Sequence, residues 1–300
     1  MTRASGQHRD SLRLGLVQMC SSDQHAVNID AATAMIDDAA RAGCQLVAFP
    51  EVAGMMNRRI AAIRDSITDA DRDPFIAACR AAAADHGIWV HTGSTPVIST
   101  GAERFRNHAT LIGDDGRVVA DYDKVHLFDM TPAEGPPIRE SNRYAPGQEA
   151  VLAATPWGPM GMSICYDVRF PHFYRDYARD GAVAFFVPSA FTVATGRAHW
   201  EILLRARAIE CGAFVIAAAQ VGTHADGRET WGHAMVVDPW GAVLCDMGDT
   251  VGVAVVDLDI KAVARARAQI PSLINERSYV RRGPDRGRGA ARGRGPARGQ

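Results

Sequence analysis

AARAGCQLVAFPEVAG (residues 39–54) carries the pattern that decides the fold. A helix-like end runs to Gly43, a residue suited to the left-handed conformation that closes helices. A short apolar run, QLVAFP, follows directly and stops at Pro50 and Glu51. The same order returns in YARDGAVAFFVPSAFT (residues 177–192): helix end, glycine, apolar run, proline, at matching offsets. Each copy is preceded at a distance by another apolar segment, GLVQMCSS (15–22) or GMSICYDV (161–168). Apolar runs of this length without alternation read as strands covered on both faces, as in parallel sheets under helices. The pattern therefore predicts two similar α/β halves facing each other.

Outward from these stretches the alternation continues. Strand-like runs fall at 12–19, 45–50, 88–94, 108–113, 160–165, 182–189, 213–220, 233–238 and 251–259. Helical stretches fall at 26–42, 73–86, 171–180, 199–211 and 261–269. HATLIG, a GDDG turn and RVVADYD read as a hairpin, so the sheets are mixed rather than purely parallel. No linker divides the body. The expected organisation is a flexible polar N-terminus over 1–11, one domain over 12–280 and a disordered arginine- and glycine-rich tail over 281–300.

Charge separates the tail from the body. The whole chain carries −1; residues 281–300 hold seven arginines and one aspartate, +6, which leaves −7 for residues 1–280. A mildly acidic body argues against a nucleic-acid surface, and only the tail offers a weak electrostatic contact with RNA or acidic surfaces. The longest apolar runs are about ten residues, short of the roughly 20 that a membrane span requires. No secretory signal is visible in MTRASGQHRDSL. Six cysteines lie scattered without a C-x-x-C pair. That usage points to free thiols in a reducing cytoplasm rather than to a zinc ribbon or a redox motif.

The chemistry-bearing segment is MGMSICYDVRFP (160–171). Cys165 ends an apolar run and enters a polar turn that leads toward a helix near Phe170. A lone cysteine in an apolar run is ordinarily inert core. Here, amides at the start of a helix would favour the reactive thiolate. Glu51 and Lys124 also follow strand-like runs, and Glu140 lies in IRESN. Strand C-terminal ends are where open α/β sheets bind ligands. Such a set can perform acyl transfer. The thiol attacks a carbonyl, a glutamate shuttles protons, and a lysine ammonium with a backbone N–H stabilises the oxyanion. The second glutamate orients the lysine, and no metal or cofactor is required. Spacing alone leaves open whether these groups meet, and a glutamate after a strand or a single lysine is ordinarily a surface residue.

The motifs GLVQM (15–19), LVAFPE (46–51), GS (93–94), DYDKVHLFD (121–129), ESNRYAPG (140–147), ICYDVRFP (164–171) and GHAMVVDPWG (232–241) occur in the order seen in the nitrilase superfamily of carbon–nitrogen hydrolases. The chain resembles that family over about residues 12–280. The resemblance implies an αββα four-layer sandwich with two mixed sheets, dimerised or assembled into a higher homo-oligomer. It implies a catalytic triad of Glu51, Lys124 and Cys165, with Glu140 as the family's fourth glutamate.

Tyr166 and Asp167 follow the cysteine where nitrile-cleaving members have Trp-Glu. With PSAF, AHWE and LLRARAIE, this is similar to the Nit amidase branch. The resemblance then implies hydrolysis of the primary amide of a small carboxylate-bearing substrate to a carboxylate and ammonia. Deaminated glutathione leads as that substrate, and omega-amide keto acids come second. N-carbamoyl hydrolysis and a non-catalytic binding protein are the alternatives.

Arg169 could grip a substrate carboxylate or pair internally with Asp167 or Asp176. Phe191 and Thr195 match pocket-lining positions of similar amidases; core packing and a turn or N-cap before a helix at 199 are their plainer roles. Tyr166 joins this substrate-binding set. His126, His199 and His233 form no metal pattern. Trp200 and Glu201 are expected to open a helix as packing and capping groups, and Cys20 to be a buried thiol. Arg197 stands where the branch often has proline, and VAGMMNRR beside Glu51 is atypical; both bear on substrate choice.

Overall fold

A computed structural model of the chain describes residues 8–98, 101–132 and 135–280. Residues 1–7 and the tail over 281–300 lie outside the described residues.

Two mixed sheets stack face to face, and helices cover the outer face of each. In the first sheet, Ser11–Met19, Leu46–Ala48 and Trp89–His91 run parallel. In the second, Gly158–Gly161, Ala184–Phe186 and Phe214–Ala217 do the same. The two stretches read as repeats thus supply the middle strand of each parallel trio. Ala219–Thr223, parallel to Ser11–Met19, and antiparallel strands extend the first sheet to nine strands, and antiparallel strands extend the second to six. Among them is the expected hairpin, Arg106–Ile112 with Val118–Asp123.

Period-two alternation sorts the side chains of the first strand. Leu12, Leu14 and Leu16 enter the core between the sheets, with Met160, Phe186 and Ile216. Val17 and Met19 face outward and meet Ile36 and Ala39 of the helix His25–Arg41, beside Phe75 and Cys79 of the helix Pro74–His86. Gly15 lets the first of these helices approach, since a methyl group there would stand 3.1 Å from the Ala39 Cβ. The second sheet is covered by Pro171–Arg179 and Val193–Cys211. The architecture is the four-layer αββα sandwich.

Several expectations shift. Residues 8–11 are tied down: Arg9 donates its backbone N–H to the Pro156 carbonyl at 2.7 Å, and the first strand begins at Ser11. The ladder expected over 160–165 stops at Gly161. A helix over Ile60–Ser66 is additional. The helix expected at 199–211 starts at Val193, because the Thr192 hydroxyl caps it by accepting from the Thr195 N–H. Gly196 hides that first turn from propensity, yet tertiary packing requires it: a Cβ there would stand 2.1 Å from the Trp231 Cγ. Trp200 and Glu201 therefore lie within the helix. Trp200 is buried and donates to the His233 carbonyl at 2.7 Å, while Glu201 pairs with Arg205 on the surface. Cys20 is exposed, not buried. No described helix is long and apolar enough to cross a membrane.

Candidate active site

Glu51, Lys124, Glu140 and Cys165 converge at one end of the sandwich, each delivered by a different loop. Glu51 sits three residues beyond Leu46–Ala48, in a turn that Gly93 and Ser94 hold. Ser94 Oγ accepts the Val52 N–H at 2.8 Å, and the Ser94 N–H donates to the Pro50 carbonyl at 3.2 Å. Gly93 has φ of 69°, and any Cβ there would lie 1.9 Å from the Pro50 oxygen. This explains why GS at 93–94 accompanies Glu51. Val52 itself is held at φ of 52°, a strained conformation for a β-branched residue.

Lys124 follows Val118–Asp123, and its carbonyl accepts the Gly147 N–H at 2.8 Å. A Cβ at Gly147 would collide with the Asp123 oxygen at 2.1 Å, so the APG of 145–147 belongs to the support of Lys124. Glu140 opens a short 3-10 turn beyond a two-stranded ladder, Asp129–Met130 with Ile138–Arg139. One of its carboxylate oxygens accepts the Phe128 N–H at 2.5 Å.

Cys165 begins another 3-10 turn, Cys165–Arg169, with φ of 50°. Asp167, fully buried, organises that turn. Its carboxylate accepts the Ile164 N–H at 2.8 Å, the His126 N–H at 3.0 Å, His126 Nδ1–H at 2.7 Å and the Tyr122 hydroxyl at 2.8 Å. The His126 ring in turn stacks on Phe170 at 3.6 Å. Asp167→Asn replaces one acceptor oxygen with a donor that faces existing donors. The expected result is a loss of about 1–3 kcal/mol of stability for each donor stranded, together with a lower kcat as the Cys165 turn loosens. Denaturant melts and kcat measured side by side check this; unchanged kcat in a folded variant would detach Asp167 from the nucleophile's geometry.

The four groups touch. Lys124 Nζ lies 2.8 Å from Glu51 Oε1 and 2.9 Å from Glu140 Oε2, with its side chain only 2% exposed. Glu51 is hydrogen-bonded to the Cys165 thiol, and its other oxygen accepts the Ala190 N–H at 2.9 Å. Asn107 Nδ2 spans both carboxylates, at 2.9 Å from Glu51 and 3.4 Å from Glu140, while its Oδ1 has no partner among the described residues. Asn107 is a site residue that sequence reading passed over. Its only signal was a polar side chain at the head of an apolar strand.

Electrostatics set the resting protonation state. Burial alone would raise the Glu51 carboxyl, but the Lys124 charge and hydrogen bonds from Lys124, Cys165 and Asn107 hold it below its usual range. Burial opposes the Lys124 charge, and Glu140 and Glu51 overcome it, so Lys124 stays protonated well above its usual range. Burial and then the Glu51 charge push the Cys165 thiol up, and Lys124 with the Ala190 N–H offsets only part of this. The expected thiolate is therefore corrected to a resting thiol hydrogen-bonded to a carboxylate.

Two hollows meet at Cys165. A cavity of about 690 Å³ is lined by all four of these residues, with Asn107, Tyr144, Arg58, Arg143 and Arg228 among the rest. A cleft of only about 20 Å³ adjoins it, sharing Phe128, Cys165, Ala190 and Thr192 with the cavity and adding Tyr166, Arg169, Phe191 and Thr195. Arg169 lies over the rings of Phe191 (5.4 Å) and Tyr166 (5.8 Å), and its nearest polar partner is His199 Nδ1 at 3.4 Å. Neither internal pairing forms: Asp167 is occupied by its four donors, and Asp176 pairs with Arg179 at 3.4 Å. Phe191 lines the cleft and also packs on Trp200 at 4.8 Å. Thr195 lines it from the first helical turn, three residues after the cap, which is Thr192.

The carbon–nitrogen hydrolase profile matches residues 13–268. The chain belongs to the carbon–nitrogen hydrolase family. It is 39% identical over 261 residues to a deaminated glutathione amidase of Synechocystis sp., covering 86% of this chain and 95% of that one. The crystal structure of Saccharomyces cerevisiae Nit3, a nitrilase-superfamily member, superposes with a TM-score of 0.79 at 26% identity, over 90% of this chain and 97% of that one. An amidase from Nesterenkonia sp., solved after Michael addition of acrylamide at its active-site cysteine, superposes with a TM-score of 0.72 at 28% identity, over 87% and 98% of the two chains. The chain is thus an amidohydrolase of the nitrilase superfamily, and its sandwich is the nitrilase fold.

Proposed function

We propose that this carbon–nitrogen hydrolase cleaves the amide of a small carboxylate-bearing acid through a thioester on Cys165, within a single catalytic domain over 12–280. The observation that carries the reading is the buried cluster around one cavity in which Lys124 lies 2.8 Å from Glu51 and 2.9 Å from Glu140, with Cys165 on the same wall.

As sulfur attacks the amide carbon, Glu51 takes the thiol proton. Lys124 and the Tyr166 N–H, early in the 3-10 turn where no intrahelical acceptor exists, stabilise the oxyanion. Glu51 then returns the proton to the departing nitrogen as the C–N bond breaks. In the second half it takes a proton from water, whose oxygen attacks the thioester carbon, and the released sulfur recovers that proton. Glu140 holds Lys124 charged and aimed.

The acyl carboxylate is assigned to Arg169, which lacks an internal carboxylate partner among the described residues. Arg169→Ala is expected to lower kcat/KM for acidic amides by about 2–5 kcal/mol and much less for neutral amides of equal size. Equal losses on both would make Arg169 structural.

Sequence similarity to deaminated glutathione amidases supports that substrate over omega-amide keto acids. The leaving group follows from the substrate's chemistry. A glutathione-derived tripeptide has peptide bonds and no primary amide, so the leaving group is an amine rather than ammonia, and the assay must follow both.

A homodimer and a cytoplasmic setting belong to the same proposal. Ile202, Ile209, Trp240 and Ile270 are more than half exposed on and around the outer helices, an apolar set that a second copy would cover. Trp240→Glu should then shift the sedimenting species toward monomer, and an unchanged mass would remove this face from the assembly. The six free thiols fit a reducing compartment.

A further inference from the structure

Asn107 joins the two glutamates, and its bonds decide which carboxylate oxygen can carry a proton. It is the second residue of the strand Arg106–Ile112 and is 2% exposed. Its backbone is fixed beside the site, since its carbonyl accepts the Lys124 N–H at 3.0 Å. The carboxamide can face the glutamates in one sense only. Nδ2 donates to Glu51 Oε1 at 2.9 Å and to Glu140 Oε1 at 3.4 Å, whereas the flipped amide would set an acceptor against both carboxylates. The opposite end is a buried oxygen without a partner among the described residues, which a leucine of similar size would not have. The donors, not the shape, are therefore what this position contributes.

A carboxylate offers about four lone-pair sites, two on each oxygen. On Glu51 both sites of Oε1 are filled, by Lys124 Nζ at 2.8 Å and by Asn107 Nδ2. Oε2 accepts the Ala190 N–H at 2.9 Å and has one site left. The two oxygens also face different halves of the sandwich. The partners of Oε1 come from the first sheet, on the strand Arg106–Ile112 and just after Val118–Asp123. The partner of Oε2 comes from the loop that follows Ala184–Phe186 in the second sheet. In that same loop the Pro188 carbonyl accepts the Cys165 N–H at 2.9 Å. The open site thus lies on the nucleophile's side.

Resting on the thioester reading above, we propose that Asn107 is a positioning residue for the proton shuttle: by closing Glu51 Oε1, it confines the transferred proton to Oε2. Every transfer then uses one oxygen. Oε2 takes the proton from sulfur as the S–C bond forms and gives it to nitrogen as the C–N bond breaks. It takes a proton from the attacking water and returns it to sulfur as the S–C bond breaks. Without Asn107, Oε1 has an open site on the side away from the sulfur, and a proton held there serves no step.

The test compares the full-length wild type with Asn107→Leu, which fills the space without donors, and Asn107→Ser, whose single short hydroxyl cannot span both carboxylates. Two readouts are followed across pH: kcat and KM on deaminated glutathione, and the rate at which iodoacetamide alkylates Cys165, read by peptide mass mapping. The alkylation arm needs no assumption about the substrate. Loss of a hydrogen bond to a charged group should lower kcat about 10- to 100-fold with KM little changed. Glu51, deprived of a donor that holds its carboxyl down, should bind its proton more tightly. The acid limbs of kcat/KM and of alkylation should therefore both move to higher pH. Lys124, Glu140, Cys165 and Tyr144 are the other titratable groups around Glu51, and all remain in both variants, so a displaced limb reads Asn107. Asn107→Ser supplies the reading if Asn107→Leu folds poorly. Acid limbs that stay in place in a folded variant, or a loss confined to KM, overturn the proposal while leaving the thioester mechanism standing. A Cys165→Ala protein that still turned over the substrate would overturn the mechanism instead.

Discussion

Cys165→Ala should show no turnover of any amide, in a protein that remains folded. The side chain is small, only 8% exposed, and sits at φ of 50°, a strain that alanine, also bearing a Cβ, neither relieves nor worsens. Cys165→Ser should be nearly as inactive, because the hydroxyl is a far weaker nucleophile and Glu51 is too weak a base to activate it. The check is a pairing of steady-state kinetics with intact-mass spectra under substrate. The wild type should carry an acyl mass increment in the steady state, and neither variant should. Product formation by the alanine variant at the wild-type rate would remove the thioester from the mechanism.

Lys124→Ala has two expected effects, and both follow from one buried ammonium between two carboxylates. Loss of the oxyanion partner should slow kcat by about 3 kcal/mol or more. Loss of the cation should also destabilise the fold by about 3–5 kcal/mol, since it leaves buried carboxylates without a counter-charge. The pH dependence reverses sign. In the wild type the Glu51 carboxyl is held below its unfolded value of 4.5. Its contribution to stability is therefore present above that value and lost as pH falls through the folded pKa. In the variant, Glu51 is buried beside Glu140 with no cation, so its pKa rises above the unfolded value. The folded state then binds the proton more tightly, and stability should decline as pH rises past 4.5. Thermal melts between acid and neutral pH distinguish the two slopes. A variant that melts like the wild type at all pH values would make Lys124 energetically unimportant, contrary to its 2% exposure.

Much of this molecule was legible in local patterns. The helix–glycine–strand–proline repeats at 39–54 and 177–192 mark the middle strands of two parallel trios. They do so because a strand covered on both faces leaves a continuous apolar run, whatever surrounds it. Glu51, Lys124 and Cys165 stood out through the order of the family's motifs; spacing alone left open whether they meet, because Glu51 and Lys124 follow strands of the first sheet and Cys165 follows a strand of the second. What local patterns missed had a non-local cause. The first turn of the helix Val193–Cys211 contains a glycine that propensity penalises, and only Trp231, far along the chain, explains it.

The sequence by itself determined the alternation of strands and helices, the fold class and the identity of the groups able to attack, transfer protons and carry charge. Tertiary structure alone decided how those groups behave. Cys165 rests as a thiol because desolvation and the Glu51 charge outweigh Lys124, and both depend on what surrounds the sulfur after folding. Asn107 bridges the two carboxylates, and Arg58, Arg143 and Arg228 share one cavity, although the arginines span 170 positions from first to last. Periodicity reports which face of an element is buried. It carries no information on which distant loops share a hollow, because that is set by how the two sheets stack.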